Sequence, residues 1–296
     1  MLELNKVYLG DNLELIKQID DNSIDLCLFS PPYDNIRDYK KNQWTYDLPM
    51  LGKEISRVLK DGGICVMVIQ DQTKDGRKTL TSFKTIVDWC ENTELDLWEC
   101  CLYERNGTPG AWWNKRFRVD HEYIPIFIKG QRPQYFNKDH MKIPVNQEYK
   151  KINESKNFLG GRDTQGNQIK NYKDVKLKDD KCCGTIIHYK NTARETGGEK
   201  TLKKQHPATF PDKLASDFIQ AFTTEGMVVL DPFSGSGTTL CMAKELGRNY
   251  IGMEINNEYI QNIILPRLDI VSIINNSERE EELIKWKKHW TLKTNL

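Results

Sequence analysis

Two short stretches of this chain hold the residues whose types and spacing can do chemistry. The first is Asp231-Pro232-Phe233-Ser234-Gly235-Ser236-Gly237-Thr238-Thr239, which follows the apolar run Met227-Val228-Val229-Leu230. Two glycines in a turn between a strand and a helix expose backbone that a Cβ would shield from a ligand. The helix start at Thr238-Thr239 presents N–H groups to an anion. Glu254 stands nineteen residues after Gly235, a distance at which an acid accepts hydrogen bonds from both ribose hydroxyls of an adenosine. These features predict a pocket for a nicotinamide dinucleotide or for S-adenosylmethionine. Leu240 occupies the place of the dinucleotide fingerprint's third glycine, which counts against the dinucleotide. An ordinary strand-to-helix turn also carries G-x-G. The flanking Asp231-Pro232-Phe233 and the later Glu254 weigh against that plainer reading.

The second stretch is Ser30-Pro31-Pro32-Tyr33, at the end of the apolar run Ile24–Phe29. Its residues suit methylation of an exocyclic amino group of a base, whose lone pair is delocalised into the ring. Ser30 Oγ and the Pro31 carbonyl can accept the amino hydrogens, turn the nitrogen toward sp³ and aim its lone pair at a methyl sulfonium. Pro31 and Pro32 hold those acceptors in place beforehand. Tyr33 can stack on a base that has left its helix. In-line transfer then needs positioning more than a strong base. Taken alone, Ser-Pro-Pro-Tyr also reads as a plain turn after a strand.

The elements that must position these stretches alternate. Ile24–Phe29 reads as a buried strand that the prolines end. Leu48, Leu51, Ile55, Val58 and Leu59 have helical spacing, with a stop at Gly62-Gly63. Ile64–Ile69 reads as a second buried strand, Leu80–Asn92 as a helix, and Tyr123–Ile128 as an edge strand because Pro125 interrupts it. A helix starts at Pro211-Asp212, with apolar residues at Leu214, Phe218 and Phe222. Strand 227–230, helix 238–246 and strand 250–253 come next, and the charged tail from Ser277 reads as helical. The alternation predicts an α/β fold with a mostly parallel, Rossmann-like sheet, ligands bound beyond the C-terminal strand ends.

Composition narrows the function classes. The chain has 296 residues, 38% hydrophobic, with a net charge of +1, and a mean hydropathy of −0.65. No apolar run reaches the length of a membrane span, and the N-terminus lacks the basic and apolar regions of a signal peptide. A cytoplasmic location is the expectation. None of the eight cysteines sits in a C-x-x-C pair, so no metal is expected. Cys182-Cys183 with His188 is a weak lure, and reduced thiols are the plainer reading. Residues 129–204 hold eighteen Lys and Arg against nine Asp and Glu. That local excess suggests a segment that meets a polyanion, although a solvated insertion would look the same.

With these residues in view, the chain resembles the β group of bacterial amino-methylating DNA methyltransferases, the cytosine-N(4) and adenine-N(6) family. In that group the catalytic motif comes first, a target-recognition region lies in the middle, and the cofactor loop comes last, a circularly permuted order. Phe29–Tyr33 matches the catalytic motif and Asp231–Thr239 the cofactor motif. His206-Pro207-Ala208-Thr209-Phe210-Pro211 with Lys213-Leu214 resembles the segment that lines the methionine end. Gly10-Asp11-Asn12 resembles the early G-D element, which implies Asp11 near the cofactor adenine. His121-Glu122-Tyr123 and Phe127–Gly130 also look like a family segment. The resemblance covers roughly residues 5–268. It implies S-adenosylmethionine as cofactor, bound by Asp11, Phe210, Pro211, Lys213, Asp231, Phe233, Ser234, Gly235, Ser236, Gly237, Thr238 and Glu254. It implies catalysis by Ser30, Pro31, Pro32 and Tyr33. The domains expected are a catalytic half at 1–130, an inserted recognition region at 131–205, a cofactor half at 206–270 and a charged tail at 271–296.

Ser in the first motif position favours cytosine in this family, and Asp favours adenine. The expectation is a site-specific cytosine-N(4) methyltransferase acting on duplex DNA, with the adenine-N(6) enzyme as alternative. A non-catalytic DNA-binding module is a more distant one. Methylation at carbon 5 is disfavoured, because no Pro-Cys pair exists here. Relatives that act on RNA or protein glutamine usually carry Asn first and place the cofactor loop first. Arg105, Lys115, Arg116 and Arg118 flank Trp112-Trp113, a mix that suits phosphate contact and stacking, or equally a Trp pair in the core. Family members often protect host DNA beside a cognate restriction endonuclease, and homodimers are common among them.

Overall fold

Strand β2 (Ile24–Phe29) is buried along its whole length, and the sheet grows outward from it on both sides. The structure is a computed structural model, and it describes residues 2–32, 47–104, 117, 119–145, 165, 167, 179–189, 206 and 209–275. In chain order its elements are β1 (Lys6–Leu9), α1 (Asn12–Ile16), β2, α2 (Leu48–Val58), β3 (Leu59–Met67), β4 (Thr73–Lys74), β5 (Arg77–Lys78), α3 (Thr81–Asn92), β6 (Leu95–Glu104) and β7 (His121–Lys129). Then come β8 (Ile143–Pro144), β9 (Asp180–Lys181), β10 (Ile186–His188), α4 (Asp212–Phe222), β11 (Val228–Asp231), α5 (Thr238–Glu245), β12 (Asn249–Glu254) and α6 (Leu265–Asn275).

The chain divides into two compact units, residues 1–137 with 185–296, and residues 138–184. In the smaller unit β8 and β9 pair antiparallel. The larger holds an eight-stranded sheet in the order β1-β12-β11-β2-β3-β7-β6-β10. Every neighbouring pair is parallel except the two made by β7. Alternation along β2 sends Leu26 and Leu28 into one core and Cys27 and Phe29 into the other. The first core includes residues of α4, α5 and α6, and the second residues of α1, α2 and α3.

Two strand neighbours fix the site. From β2 the chain moves on to β3 on one side, and from β11 to β12 on the other. The β2–β11 junction is therefore a topological switch point, where α/β sheets open a crevice at the strand ends. Leu230 pairs with Cys27 there, across two hundred residues of chain.

Two sequence expectations need correction. Helix α2 ends at Val58, well before Gly62-Gly63, because Leu59 turns extended and already pairs with Ile24 as part of β3. Its start is fixed by Asp47, whose side chain accepts from the Met50 N–H at 2.9 Å. Strand β7 is internal, between β3 and β6. Its ladder with β3 lapses between Val66↔Ile126 and Ile69↔Tyr123. The gap faces Pro125, which has no N–H to give. Within residues 131–205, the short strand β10 joins the main sheet beside β6.

Candidate active site at the strand ends

Strand β11 ends at Asp231, and the next six residues form a turn held by backbone and side-chain hydrogen bonds. Ser234 N–H donates to the Met253 carbonyl at 2.9 Å, and Gly237 N–H to the Ser234 carbonyl at 2.6 Å. Ser234 Oγ donates to the Asp231 carbonyl at 3.2 Å. Ser236 Oγ and Thr238 Oγ1 share a hydrogen bond of 3.2 Å. Gly235 and Gly237 have φ of +49° and +73°, in the left-handed region where a side chain is strained. A Cβ on Gly235 would also come within 2.9 Å of His206 Cε1, and one on Gly237 within 3.0 Å of Ile264 Cγ2. Packing against the protein's own side chains is therefore a reason for these glycines beside the ligand approach that the spacing suggests.

Two buried carboxylates hold the turn from below. Asp231 Oδ1 accepts the Phe233 N–H at 3.0 Å. Glu254 ends β12 and is 9% exposed. Its Oε2 accepts the Gly235 N–H at 2.8 Å, and its Oε1 the Asn256 N–H at 2.8 Å. Burial raises the Glu254 carboxyl above its usual range, against the pull of those backbone donors. Burial also pushes Asp231 up to about 7, opposed by Phe233 N–H and the Thr239 hydroxyl and reinforced by the Glu254 charge.

Asp11 stands one strand further out. Gly10 N–H donates to the Glu254 carbonyl at 3.0 Å, so the ends of β1 and β12 lie side by side. Asp11 is exposed and caps α1, its Oδ1 accepting from Leu13 N–H at 2.8 Å.

On the other side of β11, β2 runs into Ser30-Pro31-Pro32 beside the same turn. The Phe29 and Phe233 ring centroids are 5.6 Å apart, and Thr239 Oγ1 donates to the Leu28 carbonyl at 3.1 Å. Val68 N–H holds the Phe29 carbonyl at 2.9 Å. Pro31 is buried, and Ser30 and Pro32 are half-buried. Tyr33 lies outside the described residues, as do Arg105, Trp112, Trp113, Lys115, Arg116 and Arg118.

The segment before α4 is held by contacts within the protein. Phe210 is half-buried against the core, and the Pro211 carbonyl accepts the Leu214 N–H at 3.0 Å at the start of α4. The Lys213 ammonium contacts both oxygens of Asp217, at 2.7 and 2.9 Å. His206 meets the Tyr259 ring edge-on at 4.7 Å as well as facing Gly235.

Sequence reasoning missed Arg267. It is 0% exposed, donates from Nη1 to the Ser236 carbonyl and to Thr238 Oγ1 at 3.3 Å, and from Nη2 to Asp212 Oδ1 at 3.2 Å. The signal was the one basic residue between Ile260 and Val271, a stretch rich in Ile and Leu. The loop and its two acids fit a nucleoside cofactor carrying a sulfonium: positive-φ turn, buried acceptors and a helix start meet at adjacent strand ends. Among the described residues no group of three or more His, Cys, Asp or Glu could hold a metal ion.

A family model described as DNA methylase (N6_N4_Mtase) matches residues 24–265. The orphan methyltransferase M.BamHII of Bacillus amyloliquefaciens is 34% identical over 244 residues, 82% of this chain and 88% of that protein. The DNA adenine methyltransferase YhdJ of Escherichia coli K12 is 27% identical over 302 residues, 98% of this chain and 90% of its own. Among solved structures, PvuII DNA methyltransferase (cytosine-N4-specific) shares the fold with a TM-score of 0.64, at 19% identity, covering 96% of this chain and 92% of that one.

Proposed function

From the premise that the chain belongs to the N6/N4 family of DNA methylases, and is thus an S-adenosylmethionine-dependent DNA methyltransferase, we propose that it methylates the exocyclic 4-amino group of a cytosine flipped out of duplex DNA. The observation that carries this is the meeting of two distant motifs. Leu28 and Phe29, the last residues before Ser30, touch Thr239 and Phe233 of the cofactor turn.

Bound there, S-adenosylmethionine supplies a methyl group on a cationic sulfur. The turn from Asp231 to Thr238 would hold it, with Phe210 and Pro211 toward the methionine end and Asp11 toward the adenine. The Glu254 oxygens accept backbone hydrogens from Gly235, Asn256 and Ile255 and keep capacity for a ribose hydroxyl. Ser30 Oγ and the Pro31 carbonyl accept the hydrogens of the target amine and turn its lone pair out of the ring plane. Pro31 and Pro32 keep the acceptors fixed, so little reorganisation is left for the reaction. Tyr33 stacks on the displaced base, offsetting the few kcal/mol of unstacking.

Ser30 in the first motif position and the cytosine-N4-specific PvuII neighbour support cytosine. The adenine-N(6) reading has its own support in the YhdJ relative. A basic recognition region at 131–205 and the Trp112-Trp113 stretch with its cations are assigned to DNA contact. A cytoplasmic location, a homodimer and a companion endonuclease complete the proposal. Sedimentation tests the dimer, and resistance of modified DNA to a nuclease tests the companion.

The deciding experiment incubates the protein with duplex DNA and labelled cofactor and analyses the nucleosides. N4-methylcytosine is the expected product. N6-methyladenine overturns the base assignment, and no transfer to any DNA overturns the enzyme. Parallel RNA and protein substrates should stay unlabelled. Ser30→Ala and Pro31→Ala should each lower kcat by about a hundredfold or more; unchanged turnover in both refutes the roles given to them.

A further inference from the structure

Behind the cofactor turn the structure carries a buried cation that the mechanism above does not use. Arg267 is fully buried, and its one guanidinium links three parts of the molecule: the turn, through the Ser236 carbonyl and Thr238 Oγ1, the start of α4, through Asp212, and its own helix α6. Asp212 directly follows Phe210-Pro211, which is read as the wall of the methionine end. We infer that Arg267 is a positioning residue for cofactor binding, one that locks the turn and that wall into a single frame. The inference rests on reading residues 231–239 as the cofactor loop.

The local backbone is arranged to deliver this side chain inward. Residues Ile260–Ile264 form a π-helical stretch, and Leu265 N–H reaches back to the Ile260 carbonyl. Pro266 comes next, and a proline within a regular α-helix would clash with the carbonyl four residues earlier. The wider turn removes that conflict and shifts the register of the residues beyond it. Ile264 then meets the site of the missing Gly237 side chain, its Cγ2 being 3.0 Å from where a Cβ would sit. Three residues on, Arg267 lies under Ser236.

Stability alone is a poor reason for the arrangement. Taking a guanidinium and a carboxylate out of water is costly, and apolar residues of the same volume are often as stable. What an apolar pair cannot do is hold a carbonyl of the turn. The Asp212 partner also matters electrostatically: it offsets a buried positive charge that would otherwise oppose a cationic sulfonium nearby.

The test compares the full-length protein with Arg267→Met/Asp212→Asn, which removes both charges and leaves no lone buried ion. Arg267→Lys is the conservative variant and Gly235→Ala the control on the loop. Calorimetric Kd for S-adenosylmethionine, KM and kcat on methylatable DNA, and Tm are measured for each. Expected for the double variant is a Tm within a few degrees of wild type, a cofactor Kd and KM raised about tenfold or more, and kcat at saturating cofactor within about threefold. Arg267→Lys should recover part of the affinity. A merely structural role would lower Tm and the active fraction while leaving KM and Kd alone. A folded double variant with wild-type Kd, alongside a Gly235→Ala that binds poorly, overturns the inference and leaves the loop assignment standing. Wild-type Kd in Gly235→Ala as well would instead refute the loop assignment. Should the double variant not fold, Arg267→Lys decides: an unchanged Kd in that folded protein overturns the inference.

Discussion

Asp231 sits beneath the turn proposed to hold the cofactor, with its carboxyl pushed up to about 7 by burial. A carboxyl raised in this way keeps its proton in the folded protein while the unfolded chain, with an ordinary value near 3.8, has already released it. The folded state therefore binds more protons between about pH 4 and pH 7, and folding loses stability as pH rises through that window. The full loss, on the order of 4 kcal/mol, is reached above the folded value. Asp231→Asn keeps an acceptor for Phe233 N–H and removes the titration. Urea unfolding of both proteins at several pH values should show a falling stability for the wild type and a much flatter line for the variant. Parallel lines would mean that Asp231 is not the group responsible. Residue chemistry of this kind was half visible beforehand. An acid at 231 and another at 254 could be read as ligands, whereas their service to Phe233 and Gly235 N–H groups depends on where the turn folds.

At the scale of elements, the contact between α5 and β2 joins the two motifs. Thr239 in the first turn of α5 donates to the Leu28 carbonyl at 3.1 Å. Thr239→Val keeps the shape and deletes the donor from a buried site. The expected cost is about 1–2 kcal/mol of stability, read from the denaturant midpoint, with weaker cofactor binding because the turn is no longer tied to β2. Equal stability would mean that packing alone holds the junction. Elements with strong patterns were legible: β2, α2, α4 and β11 announce themselves by apolar runs or helical spacing. Strand β6 did not, because only Leu95, Cys101 and Tyr103 of its ten residues are buried and charges at Asp96 and Glu99 interrupt the pattern. Strand β1 was missed because none of its four residues is buried: Val7 and Tyr8 are half-buried, and Lys6 and Leu9 are exposed. Pro125 led to an edge reading for β7, since a proline's missing N–H is usually placed at an edge. Here the ladder with β3 simply lapses opposite it.

Across the whole molecule, charge separates along the chain, with the excess of Lys and Arg confined to residues 129–204. If that segment neutralises phosphates, DNA affinity should fall steeply with salt. Lys203→Ala/Lys204→Ala should then flatten the slope of log K against log salt by about 1 for each phosphate no longer neutralised. A slope equal to wild type would place those lysines off the DNA. The chemistry available to this protein was written into covalent order. Ser-Pro-Pro after a strand, G-x-G before a helix and an acid nineteen residues on are local patterns, and local sterics and hydrogen-bonding capacity suffice to interpret them. That the two motifs follow neighbouring strands is a matter of strand register. Burial of both sheet faces sets Leu230 beside Cys27 across two hundred intervening residues, and no local rule specifies such a pairing. The same holds for Arg267: a cation among Ile and Leu residues has no meaning until the fold puts a carbonyl and a carboxylate within its reach.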